Sequence, residues 1–253
     1  MTAAGDLSAH VRGIFQPGAM YTFVGAGGKS TAMRAVAAIL SAHGTRVRMT
    51  TTTRVGIAEF DGYPVAIARS VQDMMALCLD DEPVRLIVAG VLPAEAKYGG
   101  LALGLLSGLS LGEDLVLLVE GDGSRQRPLK VPTVREPVIP ASTATVIAVL
   151  GASGFEGPID ERLCYNHRAA LALLGKAAGT FEASAIAALV AHPAGYRRGV
   201  LPGMGFHVLV NQGDLVEKRP TAIEVLRILK ETYGIRGSLV SLRQEVMYET
   251  TEL

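Results

Sequence analysis

The stretch that best indicates the fold of this chain is Phe23-Val24-Gly25-Ala26-Gly27-Gly28-Lys29-Ser30-Thr31. The run Met20 to Val24 that leads into it is typical of a buried strand, because it is rich in apolar, aromatic and β-branched residues. The residues Thr31 to Leu40 that follow are mostly helix formers. A glycine-rich turn between a strand and a helix exposes backbone N–H groups at the positive end of the helix dipole, which favours an anion. The pattern therefore predicts a phosphate-binding loop.

This predicted loop combines backbone and side-chain ligands for a nucleotide. Glycines let the backbone approach phosphates closely. Lys29 would add positive charge at the outer phosphates, and the Ser30 hydroxyl would ligate Mg²⁺. The match to a P-loop is partial, because Phe23 occupies the place of the first glycine. The predicted nucleotide-binding residues of the loop are Gly25, Ala26, Gly27, Gly28, Lys29, Ser30 and Thr31.

A dinucleotide-binding fingerprint is an alternative interpretation of the same stretch. Gly25-x-Gly27 begins such a motif, but Ser30 stands at the place of its third glycine. The fold that carries it also needs an acidic residue about twenty positions later to bind the ribose. The chain has threonines and then Arg54 there, which suits at best a 2′-phosphate. This alternative predicts binding of NADP.

The composition limits the classes of fold and partner. Of the 253 residues, 49% are hydrophobic and 19% are charged, which allows a substantial core. Basic and acidic residues number 24 each, so no excess charge favours nucleic acid or an anionic membrane. The N-terminus lacks a signal-peptide pattern, and no apolar stretch is long enough to span a bilayer. We expect a cytoplasmic protein that binds neither nucleic acid nor membrane.

Alternating strand and helix patterns predict an α/β fold. We expect a three-layer, P-loop NTPase-like domain over residues 1–253, with a mostly parallel sheet and helices on both faces. The glycine-rich segment from Gly90 to Gly104 is predicted to be a mobile loop. The predicted strands are Met20 to Val24, Arg46 to Met49, Pro64 to Ala68, Val84 to Ala89, Leu115 to Val119, Thr145 to Leu150, Phe206 to Val210 and Gly237 to Leu242. The predicted helices are Asp6 to Phe15, Thr31 to Leu40, Ser70 to Leu79, Arg168 to Ala178, Ala183 to Ala191 and a helix opened by a Thr221-x-x-Glu224 capping box.

Two carboxylates follow the most apolar strand. Leu115 to Val119 is followed by Glu120-Gly121-Asp122, and an acid at this place would bind Mg²⁺ or orient an attacking water. Glu120 and Asp122 could divide those two roles, or they are simply acids at a turn. Thr52, at the end of another predicted strand, is a further candidate for the metal site, because open α/β sheets bind ligands there.

A cationic segment comes next, with Arg125, Arg127 and Lys130 among two prolines. Arg125 could act on a γ-phosphate as an arginine finger does, and Arg127 and Lys130 could bind an anionic substrate. A solvated basic loop explains the same charges.

Asn211-Gln212-Gly213-Asp214 follows a late predicted strand. GTPases carry Asn-Lys-x-Asp at this place, where the Asn and Asp contact guanine. Here Gln212 replaces the lysine, and Asn, Gly and Asp are also ordinary turn residues. Asn211 and Asp214 are therefore candidates for base recognition. We expect the nucleotide to be ATP or GTP.

Together these motifs resemble a bacterial family, the YqeC-like accessory proteins associated with selenium-dependent molybdenum hydroxylases. The resemblance implies a cytosolic P-loop protein that helps to mature a molybdenum enzyme, with that hydroxylase or its cofactor as partner. Gly121 departs from the pattern, in which alanine is expected. The matching stretches are Val24 to Thr31, Thr51 to Thr53, Glu120 to Arg125, Pro128 to Lys130, Glu136 to Pro140 and Asn211 to Asp214.

Two main hypotheses follow from the sequence. The first is a Mg²⁺-dependent nucleoside triphosphatase, or a nucleotide-dependent transferase or ligase. The second is a non-catalytic chaperone for a cofactor, switched by nucleotide. For the enzyme, the candidate catalytic residues are Lys29, Glu120, Asp122 and Arg125. The candidate metal ligands are Ser30, Thr52, Glu120 and Asp122.

Overall fold

The computed structural model of the chain describes residues 5–251, which form an α/β fold. The strands are β1 (Gly5–Asp6), β2 (Met20–Gly25), β3 (Arg46–Thr51), β4 (Arg54–Gly56), β5 (Val65–Ile67), β6 (Val84–Val88), β7 (Gly90–Leu92), β8 (Lys97–Gly99), β9 (Leu115–Glu120), β10 (Leu129–Lys130), β11 (Thr145–Gly151), β12 (Cys164–Tyr165), β13 (Gly205–Asn211), β14 (Arg236–Ser241) and β15 (Val246–Thr251). The α-helices are α1 (Leu7–Ile14), α2 (Lys29–Ala42), α3 (Val71–Leu79), α4 (Leu103–Leu106), α5 (His167–Leu173), α6 (Ala183–Ala191) and α7 (Arg219–Tyr233).

Within the described residues, ten strands form the central sheet, in the order β1-β15-β14-β13-β11-β2-β9-β3-β6-β5. Every neighbouring pair from β14 to β5 is parallel. The edge strand β15 runs antiparallel to β14, and β1 pairs antiparallel with β15. The predicted, mostly parallel sheet is therefore confirmed.

Helices cover both faces of the sheet. Successive side chains of a strand point to opposite faces. On one face Tyr21 and Phe23 of β2 are buried in the same core as α1 and α2. On the other face Val24 packs with α6 and α7, and Met20 packs with α3 and α4. The result is the three-layer arrangement that the sequence predicts.

Strand order brings the predicted motifs to one edge of the sheet. The chain passes from β2 through α2 to β3, but β9 lies between these two strands. Glu120, the last residue of β9, is in register with Phe23 on one side and Thr51 on the other. The carboxyl end of β9 therefore lies beside the glycine loop that follows β2.

The glycine-rich segment from Gly90 to Gly104 has more structure than its composition predicts. It contains β7 and β8, which pair antiparallel, and β8 also pairs antiparallel with β4. We call these three strands the small sheet. A Cβ at Gly100 would lie 2.2 Å from the Thr53 carbonyl oxygen, so this glycine permits close packing. The prediction of a loop is thus wrong, because residues of this segment form paired strands.

Two predicted helix boundaries are also wrong. The helix expected to reach Ala178 ends at Leu173, shortly before Gly175, which has φ 64°. The last helix begins at Arg219 and not at a cap formed by Thr221, whose hydroxyl donates instead to Glu156. Proline in its first turn favours the earlier start, because the missing N–H has no helical partner there.

No helix between residues 5 and 251 is both long enough and apolar enough to cross a bilayer.

Candidate functional site

The loop between β2 and α2 depends on its glycines. Gly25, Gly27 and Gly28 have φ values of 96°, 81° and 119°, a region that other residues rarely adopt. A Cβ at Gly27 would lie 2.1 Å from the Gly151 nitrogen, and one at Gly28 would lie 2.7 Å from Nδ2 of Asn211. Backbone conformation and close packing therefore both require glycine.

The first amides of this loop bind the protein itself. The N–H of Gly25 donates to both carboxylate oxygens of Asp122 at 3.1 Å. The N–H of Ala26 donates to the Val149 carbonyl at 2.9 Å, and the N–H of Gly27 donates to the Arg127 carbonyl at 3.2 Å. In this structure all three amides donate within the protein, so their predicted role at phosphate stays a prediction.

The start of α2 provides backbone N–H groups that have no acceptor within the helix. Gly28 is its N-terminal cap residue, and no described side chain caps the helix. The first N–H groups of an α-helix have no partner within the helix. Gly28 and Thr31 border two cavities, and Lys29 and Ser30 border the larger of them. The residues from Gly28 to Thr31 therefore combine a helix N-terminus without a side-chain cap with access to both cavities, which is the geometry that favours an anion.

Two adjoining cavities flank this helix start. The smaller cavity has a volume of about 300 Å³, and its wall includes Ser153, Asn211 and Gln212. The larger cavity has a volume of about 610 Å³ and extends past Glu59 and Glu120 to the small sheet. Both are bordered by Gly28, Thr31, Ser124 and Gln126. A molecule that bridges the two cavities would thus pass over the start of α2.

The loop that follows β9 holds a strained conformation between the cavities. Arg125 and Gln126 have φ values of 49° and 60°, although neither is glycine. Such conformations cost free energy and are concentrated at functional sites. The Arg125 guanidinium lies 5.1 Å from the centre of the Tyr165 ring, a cation–π contact, and Arg125 borders the larger cavity.

Asp122 lies in the interior. It is fully buried, and the ammonium nitrogens of Lys29 and Lys130 lie 3.3 Å and 3.0 Å from its oxygens. Lys130 also pairs with Glu136 at 2.6 Å and donates to the Gly123 carbonyl. The structure thus places Asp122 and Lys130 in a buried cluster of opposite charges, and their predicted roles at a metal and a substrate stay predictions.

Lys29 connects this buried cluster to the larger cavity. Its Nζ donates to the Gly25 carbonyl at 2.9 Å and lies 3.6 Å from the Glu120 carboxylate. Burial acts to lower the pKa of Lys29, but attraction to Asp122 and Glu120 outweighs it, so the net pKa shift is upward. Lys29 is therefore a permanent positive charge at the start of α2.

Glu120 lies at the cavity with Ser30 and Glu59. The Ser30 hydroxyl lies 3.0 Å from Glu120 and also contacts the Glu59 carboxylate. A hydroxyl has one hydrogen to donate, so it cannot satisfy two carboxylates at once. Burial, and secondarily the charge of Glu59, raises the pKa of Glu120 to about 7, although Lys29 opposes the shift.

Sequence reasoning missed Glu59. This residue lies in a short 3₁₀ helix, Ile57–Phe60, that follows β4, and its carboxylate also accepts from the Gly56 N–H at 3.2 Å. No motif surrounds it in the sequence, so the chain offered no signal for its role. The small sheet turns the chain back so that this acid faces Ser30.

Other predicted residues bind the backbone. The Thr52 hydroxyl, predicted at the metal, donates to the Val138 carbonyl at 2.7 Å. The Asn211 amide donates to the Gly27 carbonyl at 3.0 Å, and its oxygen accepts from the Leu242 N–H at 3.2 Å. Thr52 and Asn211 therefore connect distant segments around the site, and their predicted ligand roles stay predictions.

Two further candidates lie near the smaller cavity or after its strand. Arg127 borders this cavity, while its Nε donates to the Glu161 carbonyl at 2.6 Å. Asp214 lies in the turn after β13, and the residues that border the smaller cavity include Asn211 and Gln212 but not Asp214. Asn211 thus borders the smaller cavity and Asp214 is not among its lining residues, and their pairing as a guanine-binding motif stays a prediction.

Comparisons with known proteins identify the family. A model of the YqeC protein family matches residues 21–168. The uncharacterized protein YqeC of Escherichia coli strain K12 is 29% identical over 210 residues, which cover 82% of this chain and 81% of that protein. No solved structure gives a significant match. These matches confirm the resemblance seen in the motifs: the chain belongs to the YqeC family.

Proposed function

We propose that this chain is a cytoplasmic, Mg²⁺-dependent nucleoside triphosphatase that assists maturation of a selenium-dependent molybdenum hydroxylase. The observation that carries the enzymatic part is the uncapped start of α2 beside Lys29, Ser30 and Glu120. The part about maturation rests on what the family resemblance implies about the pathway. The hydroxylase or its cofactor would be the partner.

The start of α2 would bind the triphosphate. Its free N–H groups and the helix dipole favour phosphate oxygens, and the Lys29 ammonium adds a full positive charge. The nucleoside of ATP or GTP would lie in the smaller cavity, beside Ser153 and Gln212. The outer phosphates would then point into the larger cavity, towards Ser30 and Glu120.

The residues around Ser30 fit a magnesium ion by their chemistry. A hydroxyl and two carboxylates are hard oxygen ligands, and Mg²⁺ is usually bound by one or two carboxylates together with substrate phosphates. Ser30 and Glu59 would hold the ion, and Glu120 lies beside them. When bound, the ion would neutralise negative charge on the phosphates.

Glu120 has the protonation behaviour of a general base. A carboxylate with a pKa of about 7 is half ionised at neutral pH, where proton transfer is efficient. It would accept a proton from water as the water oxygen attacks the γ-phosphorus. The bond from that phosphorus to the bridging oxygen would break, and nucleoside diphosphate and phosphate would leave. Lys29 would stabilise the charge that develops on the phosphate oxygens.

A calorimetric titration with ATP, GTP, CTP and NADPH, with and without Mg²⁺, tests this proposal. We expect Mg²⁺-dependent binding of a triphosphate, weakened about 10- to 100-fold by Lys29→Ala, since a bond to a charged group contributes about 1.5–3 kcal/mol. Lys176→Ala, on an exposed residue, is the matched control.

Each other result of that titration has a definite meaning. Equal triphosphate binding by Lys29→Ala and the native chain would exclude the proposed site. NADPH binding without Mg²⁺ would favour the dinucleotide alternative. Triphosphate binding without turnover, until a partner enzyme is added, would favour the nucleotide-switched chaperone.

A further inference from the structure

One charged group in the larger cavity lacks an acceptor. Arg34 is one helical turn beyond Ser30 on α2, so both side chains lie on the same face of the helix. Its Nε is buried and has no hydrogen-bond partner among residues 5–251. Buried donors nearly always have partners, and a charged one without a partner is costly. Since Arg34 borders the larger cavity, the missing acceptor points to a ligand there.

The part of the cavity beyond Ser30 is rich in positive charge. Arg54, Lys97 and Arg125 border it together with Arg34, whereas the two acids of the cavity, Glu59 and Glu120, lie at Ser30. Arg54 also pairs with Glu95 at 2.8 Å, but its side chain remains 59% exposed. We call this region, bordered by Arg34, Arg54 and Lys97, the outer cavity.

The small sheet gives the outer cavity a folded wall. Lys97 is paired with Gly56 across β4 and β8, and Arg54 lies two residues from Gly56 on the same strand. Directly opposed residues share a face of a sheet, as do residues two apart. Arg54 and Lys97 therefore project from one face of the small sheet, and both border the larger cavity, as Arg34 does.

We propose that the outer cavity binds a second, anionic substrate, a small molecule that carries a phosphate or carboxylate group. Arg34 would supply the main contact, because guanidinium binds such oxyanions through two parallel hydrogen bonds. Arg54 and Lys97 would bind the same molecule from the small sheet. This inference rests on the proposed function, since the outer cavity adjoins the position proposed for the outer phosphates.

Binding of simple anions to nucleotide-saturated protein tests this inference. The protein is first saturated with a non-hydrolysable triphosphate analogue and Mg²⁺, and then titrated calorimetrically with inorganic phosphate or succinate. We expect one of the two anions to bind, and Arg34→Gln to weaken it about tenfold or more, since a charge-assisted hydrogen bond is lost. The loss of anion affinity should exceed any loss of nucleotide affinity by that factor.

Control variants separate this site from the nucleotide site. Arg54→Gln should also weaken the anion, whereas Arg168→Gln, on an exposed residue of α5, should not. Unchanged anion binding in both Arg34→Gln and Arg54→Gln, or no binding of either anion, overturns the inference. If the nucleotide itself fails to bind, the anion titration is repeated without it. Binding that is lost in Arg34→Gln but kept in Lys29→Ala then supports the outer cavity while the proposed function fails.

Discussion

Glu120 and Asp122 are separated by one residue, but they lie in regions of opposite character. The buried cluster around Asp122 contains Lys29, Lys130 and a backbone N–H, so its negative charge is fully compensated. The cavity around Glu120 offers Ser30, a second acid and the same Lys29 at a longer distance. One short motif thus supplies both a structural acid and a candidate reactive acid.

The difference has a simple physical cause. Charge on a buried carboxylate is stable only where cations and hydrogen-bond donors replace water. Asp122 has two cations within 3.3 Å, whereas burial beside Glu59 leaves Glu120 under-compensated and raises its pKa to about 7.

Replacement of Asp122 should cause the largest loss. Asp122→Ala would leave Lys29 and Lys130 with less compensation, and breaking a buried ion pair in this way costs about 3–5 kcal/mol. We expect that decrease in the free energy of unfolding in urea denaturation. Asp61→Ala, on an exposed residue, should unfold like the native chain. A similar stability for Asp122→Ala and Asp61→Ala would contradict the structural role.

Replacement of Glu120 should affect turnover and its pH dependence. As a base, Glu120 must be ionised, so native turnover should rise with pH, at or below about 7, because bound Mg²⁺ would lower the pKa of this carboxylate. Glu120→Gln should lower turnover about a hundredfold or more and remove this rise, since general-base catalysis contributes about 10²–10⁴. Initial rates measured from pH 5.5 to 8.5, a window of about three units around that pKa, test this. A variant that keeps the same rise would show that another group titrates.

A pair of glycine substitutions tests the close packing of the loop between β2 and α2, with a glycine beyond the end of α2 as the comparison. Gly27 and Gly44 have φ values of 81° and 83°, so alanine strains the backbone equally at both positions. Only at Gly27 would the new Cβ meet backbone atoms, at 2.1 Å, because nothing lies within 4 Å at Gly44. We expect Gly27→Ala to destabilise the fold by about 1–3 kcal/mol more than Gly44→Ala. Equal thermal unfolding of the two variants would refute the close packing.

Replacement of Glu59 should give the smallest effect, and one confined to the cavity. Glu59→Gln removes one proposed ligand charge, so the Mg²⁺ concentration for half-maximal turnover should rise about tenfold. Glu95→Gln, in the short helical turn between β7 and β8 and paired with Arg54, is the matched control. An unchanged Mg²⁺ requirement in Glu59→Gln would remove this residue from the metal site.

Much of the fold was predictable because it depends on local signals. Apolar runs mark β2 and β9, and Ser70 caps α3 as its sequence predicts. The small sheet was not predictable, since glycines are typical of loops and the pairing of β4 with β8 is not visible in the sequence. Edge strand β15 was missed as well, because it pairs through its backbone and its side chains are only half-buried.

The order of residues along the chain is enough to indicate that a Gly-Lys-Ser turn opens a helix and that two acids follow an apolar strand. Those features follow from the order of residues along the chain and from local conformational preference. Which polar groups of the loop are buried depends on tertiary contacts, because Lys130 contacts Asp122 and the Val149 carbonyl accepts from Ala26, both from distant segments. Glu59 and Arg34 are candidates for binding a metal ion and an anion for the same reason, since the cavity that they border is formed by parts of the chain that are remote in sequence.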